Sequence, residues 1–268
     1  MDLEKYGPWA LIVGGSEGIG VSFANRVAQQ GVNLVLTGYF PESVESTARQ
    51  IRSDHGVEVR EVTHDLTIGD PLAPVTPLTE DLEIGLMIYT AGSVAPVPFL
   101  DDTAEHVLKP MRLNAQGQTA YCHHYGQGMR DRGRGGIILV GSNAGVFGIA
   151  GMACYAAAKA YTKVLAESLW LELKPLGIDV LGLILGPTRT PFIERLGAPV
   201  DDPAFAAAYP DDVAEAGLAE LGREPVHFMD NAGPIIEELS KLDRKQAIEE
   251  MTRHTFGIVS EIEGGNAG

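Results

Sequence analysis

Short apolar runs alternate with longer amphipathic stretches along most of the chain. Most of the runs are rich in Val, Ile and Leu, as strands buried on both faces of a parallel sheet are. They lie at 10–13, 34–36, 58–62, 86–89, 137–140 and 179–185. Helical periodicity fills the intervals at 20–30, 41–55, 104–128 and 155–176. The segment 71–77 begins and ends with proline and predicts a loop where a full helix would otherwise stand.

The alternation of strand and helix predicts a single α/β domain over 1–268 with a doubly wound parallel sheet. Short connections between alternating elements produce right-handed crossovers, which make neighbouring strands parallel. Ligands of such sheets bind outside the carboxyl ends of the strands. The residues that follow those ends are therefore the first candidates for a binding site. They are Gly14, Asp65, Ala91, Ser142 and Gly186.

A glycine-rich turn connects the first predicted strand to the first predicted helix. Strand, glycine turn and helix in this order form the context of a dinucleotide fingerprint. Gly14 permits the tight turn, Gly18 allows a pyrophosphate to approach the backbone, and Gly20 allows helix and strand to pack closely. The helix N-terminus offers free N–H groups to the phosphates. The other residues of the turn that we predict to contact a dinucleotide are Ser16, Glu17 and Ile19.

Tyr155 and Lys159 stand four residues apart in a stretch of strong helix formers, and Ser142 lies thirteen residues before Tyr155. Positions i and i+4 share one helical face, so the phenol and the ammonium are expected to point into one cleft. A phenol has an ordinary pKa of about 10, and a nearby lysine charge favours its ionised form. Ser142 adds a hydrogen bond to a substrate oxygen on which charge develops. The trio indicates proton transfer to or from such an oxygen.

The order of these motifs resembles that of the short-chain dehydrogenase/reductase family, from about residue 9 to about residue 191. The resemblance implies a Rossmann-like fold and an NAD(P)-dependent oxidoreductase that transfers a hydride between nicotinamide and a carbonyl or secondary alcohol. An alternative is a dinucleotide-binding sensor without turnover, although a sensor has no need of a proton donor. The further matching positions are Asp65-Leu66, Ala91-Gly92, Asn114 and 186–190.

The resemblance also assigns the catalytic roles. Tyr155 exchanges a proton with the substrate oxygen, which Ser142 holds in place. Lys159 lowers the pKa of Tyr155 and binds the nicotinamide ribose. Asn114 keeps a water in place for proton relay to Lys159.

The remaining cofactor contacts are implied by the resemblance as well. Asp65 and Leu66 follow the third strand, where the family contacts adenine, although Asp65 can equally be a turn residue. Thr190 and the backbone near Thr188 are expected to hold the carboxamide, with a helix cap as the alternative for Thr190. The predicted set is completed by Ala91, Gly92 and Gly186.

The second predicted strand is followed by Gly38 and Tyr39. NAD-binding relatives carry an acid here, and NADP-binding ones carry a small residue followed by arginine. Gly38 is expected to leave room for a phosphate, and Tyr39 to stack on adenine or to bond a phosphate oxygen, whereas Glu17 repels a phosphate if it points inward. The turn around Glu17 resembles the ketoacyl and 17-beta-hydroxysteroid reductase branch, which uses NADPH despite an acid here. NADP(H) is therefore marginally favoured over NAD(H).

The segment 192–230 lies where the family has its variable, helical substrate lid, and it is rich in Ala, Pro and Phe. Together with apolar residues near the catalytic strand ends, it predicts a pocket for a hydrophobic carbonyl or alcohol. A steroid, a ketoacyl chain and an aromatic ketone are the candidate substrates. Cys154, which precedes Tyr155, is expected to be a small buried thiol, with a place in the lining of the substrate pocket as the alternative. The predicted substrate contacts are Val94, Asn143, Phe147 and Phe192.

Composition narrows the range of partners. The chain carries 20 Lys and Arg against 36 Asp and Glu, a formal net charge of −16, which argues against nucleic acid and anionic membrane surfaces. No apolar run approaches the roughly 18 residues that span a bilayer, and no secretory signal is visible, so a cytoplasmic protein is expected. His123 and His124 lack a second cluster at ligand spacing, so no metal site is predicted. The family resemblance implies a homodimer or homotetramer.

Overall fold

A computed structural model describes residues 2–94, 96–202 and 205–264. Within these residues, seven parallel strands form one sheet in the order β3-β2-β1-β4-β5-β6-β7. The strands are β1 (Trp9–Val13), β2 (Asn33–Gly38), β3 (Val59–Thr63), β4 (Ile84–Tyr89), β5 (Gly135–Ser142), β6 (Ile178–Leu185) and β7 (Val226–Phe228).

Helices separate the strands and cover both faces of the sheet. In the described ranges they are α1 (Leu3–Tyr6), α2 (Ile19–Ala28), α3 (Pro41–His55), α4 (Thr76–Thr79), α5 (Ala104–Met111), α6 (Gln118–Arg132), α7 (Ala153–Leu173), α8 (Pro191–Arg195), α9 (Pro210–Glu220), α10 (Gly233–Leu239) and α11 (Arg244–Gly264). Among the helices of those ranges, none has the length and apolar character that crossing a membrane requires.

Alternate residues of the central strand β1 face two different apolar layers. Ile12 belongs to a buried layer that includes Phe23 of α2 and Val213 of α9. Leu11 belongs to the layer on the other face, together with Tyr121 of α6. Because β1 pairs in parallel with both β2 and β4, it lies at the centre of the sheet and is covered on both sides. The predicted doubly wound, Rossmann-like α/β fold is confirmed.

The helix predicted over 104–128 is interrupted after α5. Pro110 lacks an N–H group and cannot continue the normal ladder of hydrogen bonds. The segment Arg112–Gly117 widens into a π-helix before α6 begins. Within it, the carbonyl oxygen of Leu113 accepts a hydrogen bond from the Tyr89 hydroxyl at 2.6 Å. Such π-helical turns frequently occur at functional sites, and this one carries Asn114.

The segment 192–230, which we predict to be a substrate lid, contains elements of two kinds. In α9, Val213 and Ala214 are fully buried in the layer that covers the sheet, and β7 extends the sheet beside β6. The amino-acid pattern does not predict β7, whose three residues are too few for a clear signal. A lid, if the segment acts as one, is therefore restricted to the part before α9. The predicted loop over 71–77 is a run of turns that leads into α4.

A polar cluster closes the edge of the sheet that lies opposite the carboxyl ends of the strands. Asp179, at the start of β6, accepts a hydrogen bond from the Tyr6 hydroxyl at 2.5 Å. The Lys5 ammonium lies 2.5 Å from the same carboxylate oxygen. Burial and the neighbouring Asp179 raise the pKa of Tyr6 above its ordinary value, so its hydroxyl keeps its proton and remains a donor. The cluster attaches α1 to the sheet far from the predicted site.

The substitution Asp179→Ala removes the acceptor that Tyr6 and Lys5 share. We expect the free energy of unfolding to fall by about 1–3 kcal/mol, because a partly buried hydroxyl loses its partner. Urea denaturation measures this loss. The control Asp131→Ala removes only an exposed ion pair with Arg130 and is expected to change stability by less than about 0.5 kcal/mol. Equal losses in the two variants would contradict the prediction.

Candidate active site

The glycine turn brings β1 and α2 into close backbone contact. A side chain at Gly20 would overlap the carbonyl oxygen of Gly14. Gly18 has a positive φ of 52°, a conformation that side-chain-bearing residues rarely adopt. These two requirements explain why the turn carries glycine at these positions, and they leave its backbone open to a ligand.

The N-terminus of α2 offers backbone N–H groups at this turn. Gly18 is its N-cap residue, and no side chain caps the helix. Ser16 is buried beneath the turn, and Ile19 packs against the apolar layer of the sheet. An uncapped helix N-terminus attracts phosphate through its N–H groups and its dipole. The turn therefore fits the pyrophosphate of a dinucleotide.

The prediction that Gly38 leaves room for a phosphate is wrong. The space that a β-carbon would occupy is filled by the side chains of Ser16 and Val44. Gly38 is therefore required by the packing of β2 against the glycine turn. The neighbouring Tyr39 is 56% exposed, and its ring is available to a ligand.

An ion pair links the glycine turn to the helix that follows β6. Arg195 of α8 lies 2.7 Å from the carboxylate of Glu17. The same guanidinium lies 5.4 Å from the ring centroid of Phe40, next to Tyr39. The charge of Glu17, which is expected to repel a phosphate if the side chain points inward, is therefore balanced by a cation. Sequence reasoning missed this contact because 178 residues separate its partners.

Asp65 and Leu66 follow β3 at the edge where adenine is predicted to bind. The Asp65 carboxylate accepts hydrogen bonds from the backbone N–H and the hydroxyl of Thr67, at 2.8 and 2.7 Å. Although burial opposes ionisation, these bonds and the charge of Lys109 hold the pKa of Asp65 below its ordinary value. The turn role that the sequence left open for Asp65 is thus present. Leu66 packs against the apolar layer below, and adenine contact stays a prediction for both residues.

The three predicted proton-transfer residues meet at the carboxyl end of β5. Ser142 ends β5, Tyr155 stands in the first turn of α7, and the Ser142 hydroxyl lies near enough to lower the pKa of the phenol. Lys159 lies one turn later, is only 5% exposed, and donates a hydrogen bond to the carbonyl oxygen of Val140 at 3.0 Å. Its nitrogen is 5.8 Å from the centroid of the Tyr155 ring. The phenol and the ammonium share one cleft, as the spacing predicts.

Burial shifts both titrating groups towards their neutral forms. It raises the pKa of Tyr155 above its ordinary value, and the hydrogen bond with Ser142 offsets only part of that rise. It lowers the pKa of Lys159 to about 8. The expected downward shift of the Tyr155 pKa is therefore wrong for the structure described, because loss of water is the largest effect on the phenol.

Asn114 is fully buried in the π-helix and faces the same site. Its side-chain nitrogen donates to the carbonyl oxygen of Pro110 at 3.1 Å. Its Oδ1 has no hydrogen-bond partner among the described residues. A β-carbon placed on Gly92 would lie 3.1 Å from this oxygen and 3.4 Å from the Lys159 nitrogen. Because buried polar atoms are normally paired, this geometry supports the predicted water between Asn114 and Lys159.

The ends of β4 and β6 complete the cleft. The backbone N–H of Ala91 donates to Val13 at 2.9 Å, which places Ala91 beside the glycine turn. After β6, the Thr188 hydroxyl donates to the carbonyl oxygen of Gly186 at 3.2 Å. Thr190 caps α8 through the N–H of Ile193, so the helix cap considered in the sequence analysis is present. Its side chain also lies against Gly18, at the predicted cofactor position.

A cavity opens beside Tyr155, between α5 and the start of α7. Its apolar wall consists of Val97, Phe99, Val107, Pro110 and Met152. Cys154 is expected to be buried. It is only partly buried in the structure, and it lines the cavity. The cavity also has polar lining residues, which the sequence analysis did not identify: Ser93, Asp102, His106 and Lys109.

The four predicted substrate contacts are not part of the lining of this cavity. Phe147 packs in a buried cluster with Leu239 and Met251, beneath the C-terminal helices, and Tyr155 packs against the same cluster. Contact of Phe147 with the substrate therefore stays a prediction. Among the described residues, the lining of the cavity beside Tyr155 also does not include Val94, Asn143 or Phe192.

Comparisons with known proteins agree with this geometry. A family model described as short chain dehydrogenase matches residues 8–200. A 7beta-hydroxysteroid dehydrogenase of Clostridium sardiniense is 32% identical over 250 residues, which cover 91% of this chain and 94% of that protein. A solved structure from work on 7beta-hydroxysteroid dehydrogenase stereoselectivity has a TM-score of 0.87 at 27% identity, covering 93% of this chain and 98% of its own. A short-chain dehydrogenase from Sphingobium yanoikuyae in complex with NADPH has a TM-score of 0.78 at 31% identity, covering 91% and 95%.

The chain belongs to the short-chain dehydrogenase family. It is an NAD(P)-dependent oxidoreductase that acts on CH–OH groups and transfers a hydride between nicotinamide and a carbonyl or secondary alcohol. The nicotinamide cofactor supplies the hydride chemistry when bound, and the protein supplies binding, orientation and proton transfer. Within the residues that the structure describes, no group of three or more His, Cys, Asp or Glu side chains could hold a metal ion.

Burial of Lys159 makes the stability of the protein depend on pH. Its pKa is lowered from 10.5 to about 8 on folding, so between these values the unfolded chain binds more protons. The contribution of Lys159 to the free energy of unfolding therefore rises with pH through this window. Relative to Lys159→Met, the wild type is expected to gain about 2 kcal/mol between about pH 7 and pH 9.5.

Urea unfolding of both proteins at the two pH values measures this gain. Lys163→Met is the control, because it removes a more exposed ammonium from the same helix. Parallel pH curves for the wild type and Lys159→Met would show that Lys159 is not desolvated as described.

Proposed function

We propose that this enzyme interconverts a carbonyl and a secondary alcohol on a bulky hydrophobic compound of the steroid class, with NADP(H) as cofactor. The observation that carries the proposal is the meeting of Ser142, Tyr155 and Lys159 beside a cavity with a largely apolar wall. An apolar cavity with a few polar groups near the reacting position suits a hydrophobic ketone better than a sugar.

Each residue of the trio has a distinct role in this proposal. In reduction, Tyr155 donates its proton to the carbonyl oxygen, and in oxidation it accepts the proton from the alcohol. Ser142, beside Tyr155, orients the substrate oxygen and stabilises the charge that develops on it. Lys159 returns a proton to the phenol, and a water in the space that Lys159 shares with Asn114 relays a proton to Lys159. The high pKa of Tyr155 keeps the phenol protonated near neutral pH, which is the form that reduction consumes.

The assignment to the steroid class rests on two supports. The relative from Clostridium sardiniense is named a 7beta-hydroxysteroid dehydrogenase, and it matches nearly the whole chain. The cavity beside Tyr155 offers the apolar surface that a fused-ring ketone would cover, from Val97, Phe99 and Met152. A ketoacyl chain or an aromatic ketone is the next candidate. No observation favours the sensor without turnover.

Preference for NADP(H) follows from charges near the end of β2. Enzymes that bind the extra phosphate of NADP place an arginine near this strand end. Arg195 lies against Phe40, and the Lys109 nitrogen lies 6.0 Å from the centroid of the Tyr39 ring. The two cations flank the exposed aromatic pair. A relative of known structure is in complex with NADPH.

Association into a homodimer or homotetramer is also part of the proposal. Val164 and Leu171 on α7 are 55% and 69% exposed. Large apolar side chains on one helix are candidates for burial against a second copy. A cytoplasmic location stays a prediction from the sequence.

The substitution Tyr155→Phe tests the reaction. We expect NADPH oxidation with a panel of hydrophobic ketones to fall at least about 100-fold, because the proton donor is lost. NADPH binding, measured by fluorescence titration, is expected to change little. Tyr161→Phe is the matched control, because it removes a tyrosine hydroxyl from the same helix. That hydroxyl bonds to Thr119. Tight NADPH binding with no wild-type turnover on any carbonyl or alcohol would favour the sensor instead.

The substitution Arg195→Gln tests the cofactor preference. We expect the Kd for NADPH to rise about tenfold and the Kd for NADH to stay nearly constant, because a charge-assisted bond to phosphate is lost. Glu17→Gln, which frees Arg195 from its ion pair, is expected to tighten NADPH binding. The control is Arg189→Gln, because Arg189 lies in the same region but pairs with Asp201. Equal changes in the two Kd values would contradict an assignment to the extra phosphate.

A further inference from the structure

The start of α5 carries a polar arrangement on the wall of the cavity beside Tyr155. Thr103 caps the helix by accepting a hydrogen bond from the backbone N–H of His106 at 3.2 Å. The Asp102 carboxylate accepts one bond from the Thr103 backbone N–H at 2.7 Å. Its other oxygen is paired with Nδ1 of His106. Asp102 and His106 both line the cavity that Tyr155 lines.

This pairing determines which nitrogen of the neutral imidazole carries the hydrogen. An ionised carboxylate can only accept, so Nδ1 of His106 is the donor towards Asp102. Nε2 is then the acceptor, as in other histidines oriented by a carboxylate. Within the described part of the chain, Nε2 of His106 has no hydrogen-bond partner. The His106 side chain is 39% exposed, against 14% for Asp102, so the ring is open to a ligand while its partner is covered.

The apolar surface near His106 makes its Nε2 acceptor important for recognising a ligand. Val97, Phe99 and Val107 supply apolar surface to the same cavity. A ligand bound on such a surface is held mainly by apolar contact, which does not fix its direction. A polar group on the wall distinguishes ligands that carry a matching donor, because an unmatched acceptor loses its water without compensation.

Helix capping alone does not account for the arrangement. The cap of α5 is already provided by the Thr103 hydroxyl. A side-chain hydrogen bond of i,i+4 type at a helix start does not require that the histidine also face a cavity, as His106 does. The site does not need His106 as a second acid–base group, because Ser142 and Lys159 already serve the Tyr155 phenol.

We propose that Nε2 of His106 accepts a hydrogen bond from a hydroxyl group on the hydrophobic ketone, at a ring carbon remote from the reacting carbonyl. The substrate class is therefore a fused-ring hydroxyketone. Asp102 is a positioning residue that fixes the tautomer and the direction of the ring. The proposal rests on the proposed function and names the substrate of the same site more closely.

The test uses two 7-ketosteroids that differ only in a hydroxyl group at carbon 3. The wild type is expected to prefer the hydroxylated ketone by about tenfold in kcat/KM. His106→Phe is expected to remove this preference by raising KM for the hydroxylated ketone, with kcat nearly unchanged and the deoxy ketone unaffected. His106→Gln places an amide oxygen near the position of Nε2 and is expected to restore part of the preference.

Further variants separate positioning from folding. Asp102→Asn is expected to reduce the preference by a smaller factor than His106→Phe, and the double variant to be no worse than His106→Phe alone. His123→Phe, which removes an exposed histidine from α6, is the control and is expected to leave the preference unchanged. Equal losses for both ketones in His106→Phe, or an unchanged preference, would overturn the proposal.

Direct binding distinguishes this proposal from the proposed function. Binding of both steroids to the NADPH complex is measured by calorimetry in the wild type and in His106→Phe. If the wild type reduces neither steroid, the proposed function fails on these substrates. Tighter binding of the hydroxylated steroid that is lost in His106→Phe would still support the subsite, and equal binding of the two steroids would overturn it.

Discussion

One hydrogen bond holds the reactive part of this enzyme together, from the buried ammonium of Lys159 to the carbonyl oxygen of Val140 at 3.0 Å. It ties α7 to the carboxyl end of β5. The turn between these elements packs so closely that a side chain at Gly145 would overlap the backbone of Lys159. The spacing of Ser142 and Tyr155 is thereby set by main-chain packing. The same closeness excludes water, which explains why the pKa of Lys159 falls.

The pKa values of two groups in one cleft are shifted so that each group favours its neutral form, and these shifts define the protonation of the site. Loss of water raises the pKa of Tyr155 and lowers that of Lys159, so the phenol is protonated and the amine lies close to its own titration point. A group near its titration point passes protons in either direction at small cost. The unpaired oxygen of Asn114 faces the same space because Pro110 and the π-helix interrupt the preceding helix. The interrupted helix and the titrating side chains therefore border the same space.

The amino-acid pattern predicts the six longer strands, their parallel direction and the elements that carry the reactive residues. These predictions succeed because they depend on local periodicity and on the rule that ligands bind at carboxyl strand ends. The pattern does not predict β7, which is too short, or the π-helix, which depends on Pro110 and on the contact of Tyr89 with Leu113. It also does not reveal the packing of Phe147 against the C-terminal helices, because the direction of a loop depends on distant contacts. The pKa of Tyr155 rises against expectation, because a sequence shows charges but not the extent of desolvation.

The ion pair of Glu17 with Arg195 has a consequence for protein engineering. Arg195 belongs to the segment after β6, where an engineer would exchange loops to obtain a new substrate range. Such a graft replaces the cation that balances Glu17 and lies against Phe40. Loop exchange here therefore leaves the Glu17 carboxylate of the glycine turn without its cation, and a chimera intended for a different ketone needs a compensating change at position 17.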